Sequence, residues 1–145
     1  MTPIVYVIMP VGSDPAYERR RAAIERVTAT LGLAALLPAD RLHAEMPFDL
    51  DHARRDLRRA RVVVADLTLE RPSCYYEVGL AQALSRRVVL VAERGTAIHQ
   101  AHDRDKVIFY DSLDDLSAKL TKVLRPIATA AAKATTKAPA KAAGI

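Results

Sequence analysis

Short apolar runs alternate with amphipathic stretches along most of this chain. Ile4 to Met9 is a β-branched run closed by Pro10 and Gly12, the pattern of a buried strand that ends in a loop. Tyr17, Arg20, Ile24, Val27 and Leu31 then recur every three or four residues, with Asp14 as N-cap, Pro15 in the first helical position and Gly32 as the stop. Leu33 to Leu37 reads as a second strand ended by Pro38, and a polar loop holding Asp40, Arg41 and His43 follows. Asp49 to Ala60 predicts a helix, with Leu50, Ala53, Leu57 and Ala60 on one side and arginines on the other. Val62 to Ala65 runs unbroken into Asp66 as the third strand, and Ser73 to Leu84 is a more uniformly apolar helix. Arg87 to Ala92 and Val107 to Tyr110 complete the strands, separated by a loop or short helix over Thr96 to His102. Leu113, Leu116, Leu120, Val123 and Leu124 mark a final amphipathic helix.

Five such strands alternating with helices imply a parallel sheet covered on both faces, because parallel neighbours need crossover connections. The expected class is α/β, a three-layer sandwich whose right-handed crossovers favour the strand order 2-1-3-4-5. After Pro126 the composition collapses to Ala, Lys, Thr and Pro with no periodic large apolar side chain to bury. One folded domain over 1–126 and a disordered Ala/Lys-rich tail over 127–145 are expected.

The charge changes this picture little. Of a net charge of +5, three units belong to Lys133, Lys137 and Lys141, and no acidic residue lies beyond 126, which leaves +2 for the folded part. Nucleic-acid binding is therefore not expected, except weakly through the tail. The arginines at 54, 55, 58, 59 and 61 interleave with Asp49, Asp51 and Asp56 and read as a solvated helix face with local ion pairs. A single cysteine, Cys74, permits no intramolecular disulfide and no cysteine-based metal cluster. His43, His52, His99 and His102 are scattered without metal-ligand spacing, and no cofactor motif accompanies Gly12. No apolar run approaches the roughly 20 residues that span a bilayer, and no basic residue precedes the first apolar run, so a cytoplasmic protein without a membrane partner is expected.

The candidate chemistry is acidic. Asp66 closes an apolar strand, and Glu77 opens an apolar helix in which Gln82 is the next polar residue. In an open parallel sheet, ligands bind beyond the carboxyl ends of the strands where the connections reverse direction, here between strands one and three. The loops Pro10 to Ser13 and Asp66 to Ser73 converge on that crevice. Ser73 caps the following helix in this reading, one turn from Glu77 on the same face. Glu77 serves as nucleophile or as partner to a developing sugar cation, and Asp66 assists at the sugar or base. Candidate substrate contacts are Met9, Pro10, Val11 and Gly12, with Tyr17, Arg41, Thr68, Arg71, Ser73 and Tyr76. The simpler alternative makes Glu77 a partner of the helix dipole and Asp66 a loop cap.

Ile8-Met9-Pro10, Tyr17, the run Ala60 to Thr68, and Pro72 followed by Tyr75-Tyr76-Glu77-Val78-Gly79-Leu80-Ala81-Gln82-Ala83-Leu84 resemble the nucleoside 2-deoxyribosyltransferase-like proteins. The likeness is greatest to their nucleotide-binding, TIR-like branch, and it covers roughly Ile4 to Tyr110. It implies a flavodoxin-like fold. It also implies cleavage or transfer across an N-glycosidic bond, with a nucleoside, nucleotide or NAD as ligand and Glu77 as the nucleophile, or a non-catalytic nucleotide-sensing module. A homo-oligomer is implied as well, since the family's transferases complete their site with a neighbouring subunit. Two departures stand out: the chain reads Arg71-Pro72-Ser73 where the family commonly has Asn-Pro-Asn, and Leu69 where glycine is usual. Arg71 in that place either selects a phosphate-bearing ligand, a nucleotide over a nucleoside, or signals lost catalysis.

Overall fold

β1 (Ile4–Ile8) lies second from one edge of a five-stranded parallel sheet in the computed structural model, which describes residues 1–12, 14–38, 48–99 and 101–137. The remaining strands are β2 (Ala34–Leu36), β3 (Val62–Asp66), β4 (Val88–Glu93) and β5 (Ile108–Tyr110), in the order β2-β1-β3-β4-β5. The order is the one the crossover argument favours. Tyr6 pairs with Val63 and Ile8 with Ala65, while Asp66 pairs with Val91.

Among the described residues four helices cover the sheet: α1 (Tyr17–Thr30), α2 (Leu50–Arg59), α3 (Pro72–Ala83) and α4 (Leu113–Lys137). Strand side chains alternate between faces, so each strand feeds two cores. Val5, Val7, Val62, Val64 and Val91 pack with Ile24 and Val27 of α1 and with Leu116, Leu120 and Leu124 of α4. Tyr6, Ile8, Val63, Ala65 and Leu90 pack with Leu57 of α2 and with Cys74, Val78 and Ala81 of α3. Both faces being dry explains why the strand sequences are continuous rather than alternating in polarity.

Several boundaries differ from the sequence reading. Asp14 and Pro15 precede α1 rather than opening it: the Asp14 carboxylate accepts the N–H of Ala16 and pairs with Arg20, forming a local turn that delays the helix to Tyr17. Ser73 does not cap α3. Pro72 takes the first helical position, where its missing N–H costs nothing, and no side chain caps the helix. The helix itself buries only the stripe Cys74, Val78 and Ala81 and leaves Tyr76, Gly79 and Ala83 exposed. The described residues between β4 and β5 form loop with a 3-10 turn at Arg104–Lys106.

The largest difference is at the end of the chain. α4 continues through Pro126 to Lys137, past the boundary that composition sets at 126. Pro126 withdraws one backbone donor, but Ile127 and Ala131 extend the buried stripe of Leu116, Leu120 and Leu124 by three and four residues. Small side chains are enough where the stripe lies against the body of the fold. Residues 138–145 lie outside the described part, and no helix among the described residues is long and apolar enough to cross a membrane.

Candidate active site

A cavity of about 480 Å³ opens beyond the carboxyl ends of β1 and β2, beside α3, rather than between β1 and β3 where the reversal of connections places it. Met9 and Val11, leaving β1, form one wall, and Leu37, Pro38 and Phe48 form another. Ser73, Tyr76 and Glu77 of α3 close the third side. Glu77 is the sixth residue of α3 and no acid lies in the first turn. The helix dipole acts mainly over that first turn, so it does not account for this carboxylate.

A side chain accounts for it instead. The Tyr6 hydroxyl, at the middle of β1, donates to Glu77 Oε2 at 2.9 Å. Tyr6 is wholly buried and points to the α2/α3 face, so its hydroxyl needs a partner and Glu77 is that partner. Burial pushes the Glu77 carboxyl above the ordinary glutamate value, and the Tyr6 hydrogen bond opposes this by favouring the ionised form. Glu77 Oε1 has no hydrogen-bond partner among the described residues and is left to act. Around it the wall is aliphatic and aromatic: the rings of Phe48 and Tyr76 meet edge to face with centroids 5.6 Å apart, both partly exposed at the mouth.

Asp66 is not in this cavity. Parity along β3 sends Val62, Val64 and Asp66 to the α1/α4 face, opposite to Glu77. Its carboxylate is fully buried and accepts three bonds: from the N–H of Thr68 at 2.9 Å, the hydroxyl of Thr68 at 2.6 Å and the hydroxyl of Tyr110 at 2.9 Å. The Thr68 oxygen in turn accepts the N–H of Glu93. One carboxylate thus ties the ends of β3, β4 and β5 to the turn that leads into α3. Burial raises the Asp66 carboxyl, while the Thr68 and Tyr110 bonds and the nearby Arg20 guanidinium pull it back. The Tyr110 phenol is pushed up by burial and by the Asp66 charge, so it stays a donor.

The other candidates divide between the two places. Met9, Val11, Ser73 and Tyr76 line the cavity with Glu77, and Pro10 and Gly12 belong to the same loop without lining it. Gly12 has φ +68°, which favours glycine in that turn. Tyr17 packs on the core of the opposite face, and Thr68 belongs to the Asp66 knot. Arg71 precedes α3 outside the cavity wall. Ser13 and Arg41 lie outside the described residues. The sequence offers Tyr6 as a ring or hydroxyl for orientation or as part of the core, and does not pair it with Glu77.

The Leu69 departure has a backbone cost. Leu69 has φ 68° and Glu70 φ 50°, two consecutive residues in the left-handed region between the Asp66 knot and α3. That conformation costs a branched residue about 1 to 2 kcal/mol. Leu69 is 47% exposed, so little burial is at stake. Replacing it by glycine is expected to raise stability by about 0.5 to 1 kcal/mol after the extra unfolded-state entropy is subtracted. The check is a higher urea midpoint with an unchanged slope.

No protein-family model matches the sequence, and no curated protein matches it. The fold does match solved structures. A 2-deoxyribosyltransferase from Bacillus psychrosaccharolyticus superposes with a TM-score of 0.57 at 18% identity, over 79% of this chain and 90% of that one. A 2-deoxyribosyltransferase from Leishmania mexicana gives 0.54 at 15% identity, over 83% and 97%. At these identities the likeness establishes the fold.

Proposed function

We propose that this chain cleaves and transfers across the N-glycosidic bond of a nucleoside, with Glu77 as the nucleophile. The observation that carries the reading is the Glu77 carboxylate, fixed through one oxygen by Tyr6 and open through the other to an apolar cavity large enough for a nucleoside. The names of the two structural neighbours support the same chemistry.

In this mechanism Oε1 attacks the anomeric carbon as the bond to the base nitrogen breaks. The base leaves with the electron pair and takes a proton from water, and an ester between sugar and Glu77 remains. A second base, or water, attacks the same carbon and releases the carboxylate. Glycosyl transfer passes through a cation-like sugar, and a carboxylate in a water-poor pocket stabilises that charge more than one in bulk solvent. Asp66 does not touch the substrate in this scheme. It holds the turn from which α3 departs and so sets where Glu77 sits.

Tyr6→Phe tests the geometry. Removing the hydroxyl deletes the group that favours the ionised carboxylate, so the acidic limb of kcat/KM is expected to move up by about one pH unit. The rate above that limb falls as well, because the Tyr6 hydroxyl no longer fixes Oε2.

The decisive experiment incubates purified protein with a panel of nucleosides, nucleotides and NAD, with and without an acceptor base, and follows free base by chromatography. Base exchange on adding the acceptor establishes the transferase, and base release without exchange an N-glycosidase. Thermal stabilisation by a nucleotide with no turnover overturns the enzymatic reading in favour of a sensor.

A further inference from the structure

All five strands are parallel, so the molecule has an amino pole and a carboxyl pole. Charge is sorted between them. The first turns of α1, α2 and α4 place Glu18, Asp51, Asp114 and Asp115 at the carboxyl pole, beside Asp66, Glu77 and Glu93 at the site end of the strands and of α3. The amino pole carries Arg58 and Arg59 at the end of α2, Arg61 before β3, and Arg86 and Arg87 before β4. The carboxyl pole also holds Arg20 and Arg94, but each is paired there with an acid, Arg20 with Asp14 and Glu93 and Arg94 with Asp111.

The five arginines form one patch. Val63 pairs with Val88, so Arg61 lies next to Arg86 and Arg87 on adjoining chains roughly 5 Å apart. An Arg86 guanidinium N–H donates to the carbonyl of Arg58 at 3.2 Å, joining the end of α2 to the same patch. None of the five is paired with a carboxylate among the described residues, and Arg58, Arg59, Arg61 and Arg87 are exposed. Arg86 and Arg87 also line a groove of about 580 Å³, larger than the Glu77 cavity, with Gln82, Ser85 and Lys106. The Nε of Arg86 is buried there without a partner. Asp103, on the far rim, is occupied by Lys106 at 3.3 Å.

Part of this has a local cause, because cations at helix carboxyl ends are favourable and Arg58 and Arg59 gain from it. Arg61 and Arg87 sit in turns before strands, at no helix end, and face no acid in an ion pair among the described residues. Five like charges held this close repel one another unless an external anion offsets them. The guanidinium fork suits phosphate, and the extent of the patch beyond the groove suits several phosphates in a row.

We propose that the amino pole binds the phosphate backbone of nucleic acid, on the face opposite the Glu77 cavity. The acids of the carboxyl pole turn the polymer away from the cavity and orient the encounter. The contact is with backbone and carries no base recognition, since no tyrosine or phenylalanine lines the groove among the described residues.

The test is fluorescence anisotropy of the full chain with a labelled single-stranded oligonucleotide of about 16 residues, titrated over a range of salt. The expected dissociation constant is in the micromolar range, with log K falling against log salt at a slope of about −2 to −3. Arg61→Gln with Arg87→Gln is expected to weaken binding at least about tenfold and to flatten the slope by about 1, at an unchanged thermal midpoint. Wild-type binding by that double variant overturns the proposal. So does loss of binding on Lys133→Gln with Lys137→Gln alone, which would place the contact on the chain's end. Complete displacement of the oligonucleotide by an equimolar mononucleotide would replace it with a small-anion site.

Discussion

Glu77→Gln is expected to reduce nucleoside base release and exchange by at least about a thousandfold, roughly 4 kcal/mol of transition-state stabilisation. The amide is nearly isosteric and its oxygen still accepts the Tyr6 hydroxyl, so the cavity keeps its shape. What it loses is the lone pair that attacks the anomeric carbon and the charge that stabilises the sugar cation. The stability of the variant separates this role from a structural one. Burial raises the Glu77 carboxyl pKa, so the folded state holds its proton more tightly than the unfolded chain. The wild type therefore loses stability as pH rises from the ordinary glutamate range through that raised value. Glutamine does not ionise, so the variant should match the wild type at acidic pH and equal or exceed it at neutral pH. Activity lost with stability kept is the signature of a functional carboxylate. A thermal midpoint lowered by several degrees at neutral pH, with no effect on any ligand, would return Glu77 to a structural part.

The fold is legible in the sequence because its signals are local and repeated. Each strand is a short apolar run ended by proline or a charged residue, and the helices alternate with them, so class and strand order follow. The Glu77 cavity is half legible. A carboxylate inside an apolar helix, near the point where the connections reverse, is visible in one dimension. Which side of the sheet Asp66 faces is also visible: it is two residues from Val64 and four from Val62, and both belong to the core opposite α3. Spacing on a strand decides faces, and nearness in sequence to Glu77 does not. Tyr6 and Tyr110 are different. Their hydroxyls choose partners 71 and 44 residues away, and nothing local marks either choice. The end of α4 escapes a composition argument because alanine stabilises a helix and, once the helix has a surface to lie on, also packs against it. The helices account for only part of the charge at the two poles: α2 and α4 carry acids in the first turn and bases in the last, α1 carries only the acid and α3 neither.

Asp66→Ala is expected to cost about 3 kcal/mol of stability, more than any other single substitution proposed for this fold. Three donors converge on this carboxylate, and truncation leaves the Thr68 N–H buried without an acceptor, at about 1 to 3 kcal/mol, and the Tyr110 hydroxyl with only the Thr68 oxygen, 3.2 Å away. Relief of the buried charge offsets part of this. All three contacts donate toward Asp66, the pattern an ionised carboxylate satisfies; the NH2 of asparagine in place of Oδ2 is satisfied only when the Tyr110 hydroxyl turns to accept it and donates instead to the Thr68 oxygen 3.2 Å away, a poorer arrangement. Asp66→Asn is therefore destabilising too, though less than alanine. The pH dependence distinguishes the contributions. Burial raises the Asp66 carboxyl, so its protonated form favours folding, and the wild type loses stability as pH climbs from the ordinary aspartate range through the raised value. Neither variant shows that decline. Tyr110→Phe removes one donor from the knot and should cost about 1 kcal/mol. Together with Asp66→Asn it should cost less than the sum, since the two groups share one bond. Urea midpoints across pH for the three variants and the double variant measure each of these. Additive losses, or an Asp66→Ala protein as stable as the wild type, would mean that the ends of β3, β4 and β5 are held by packing alone.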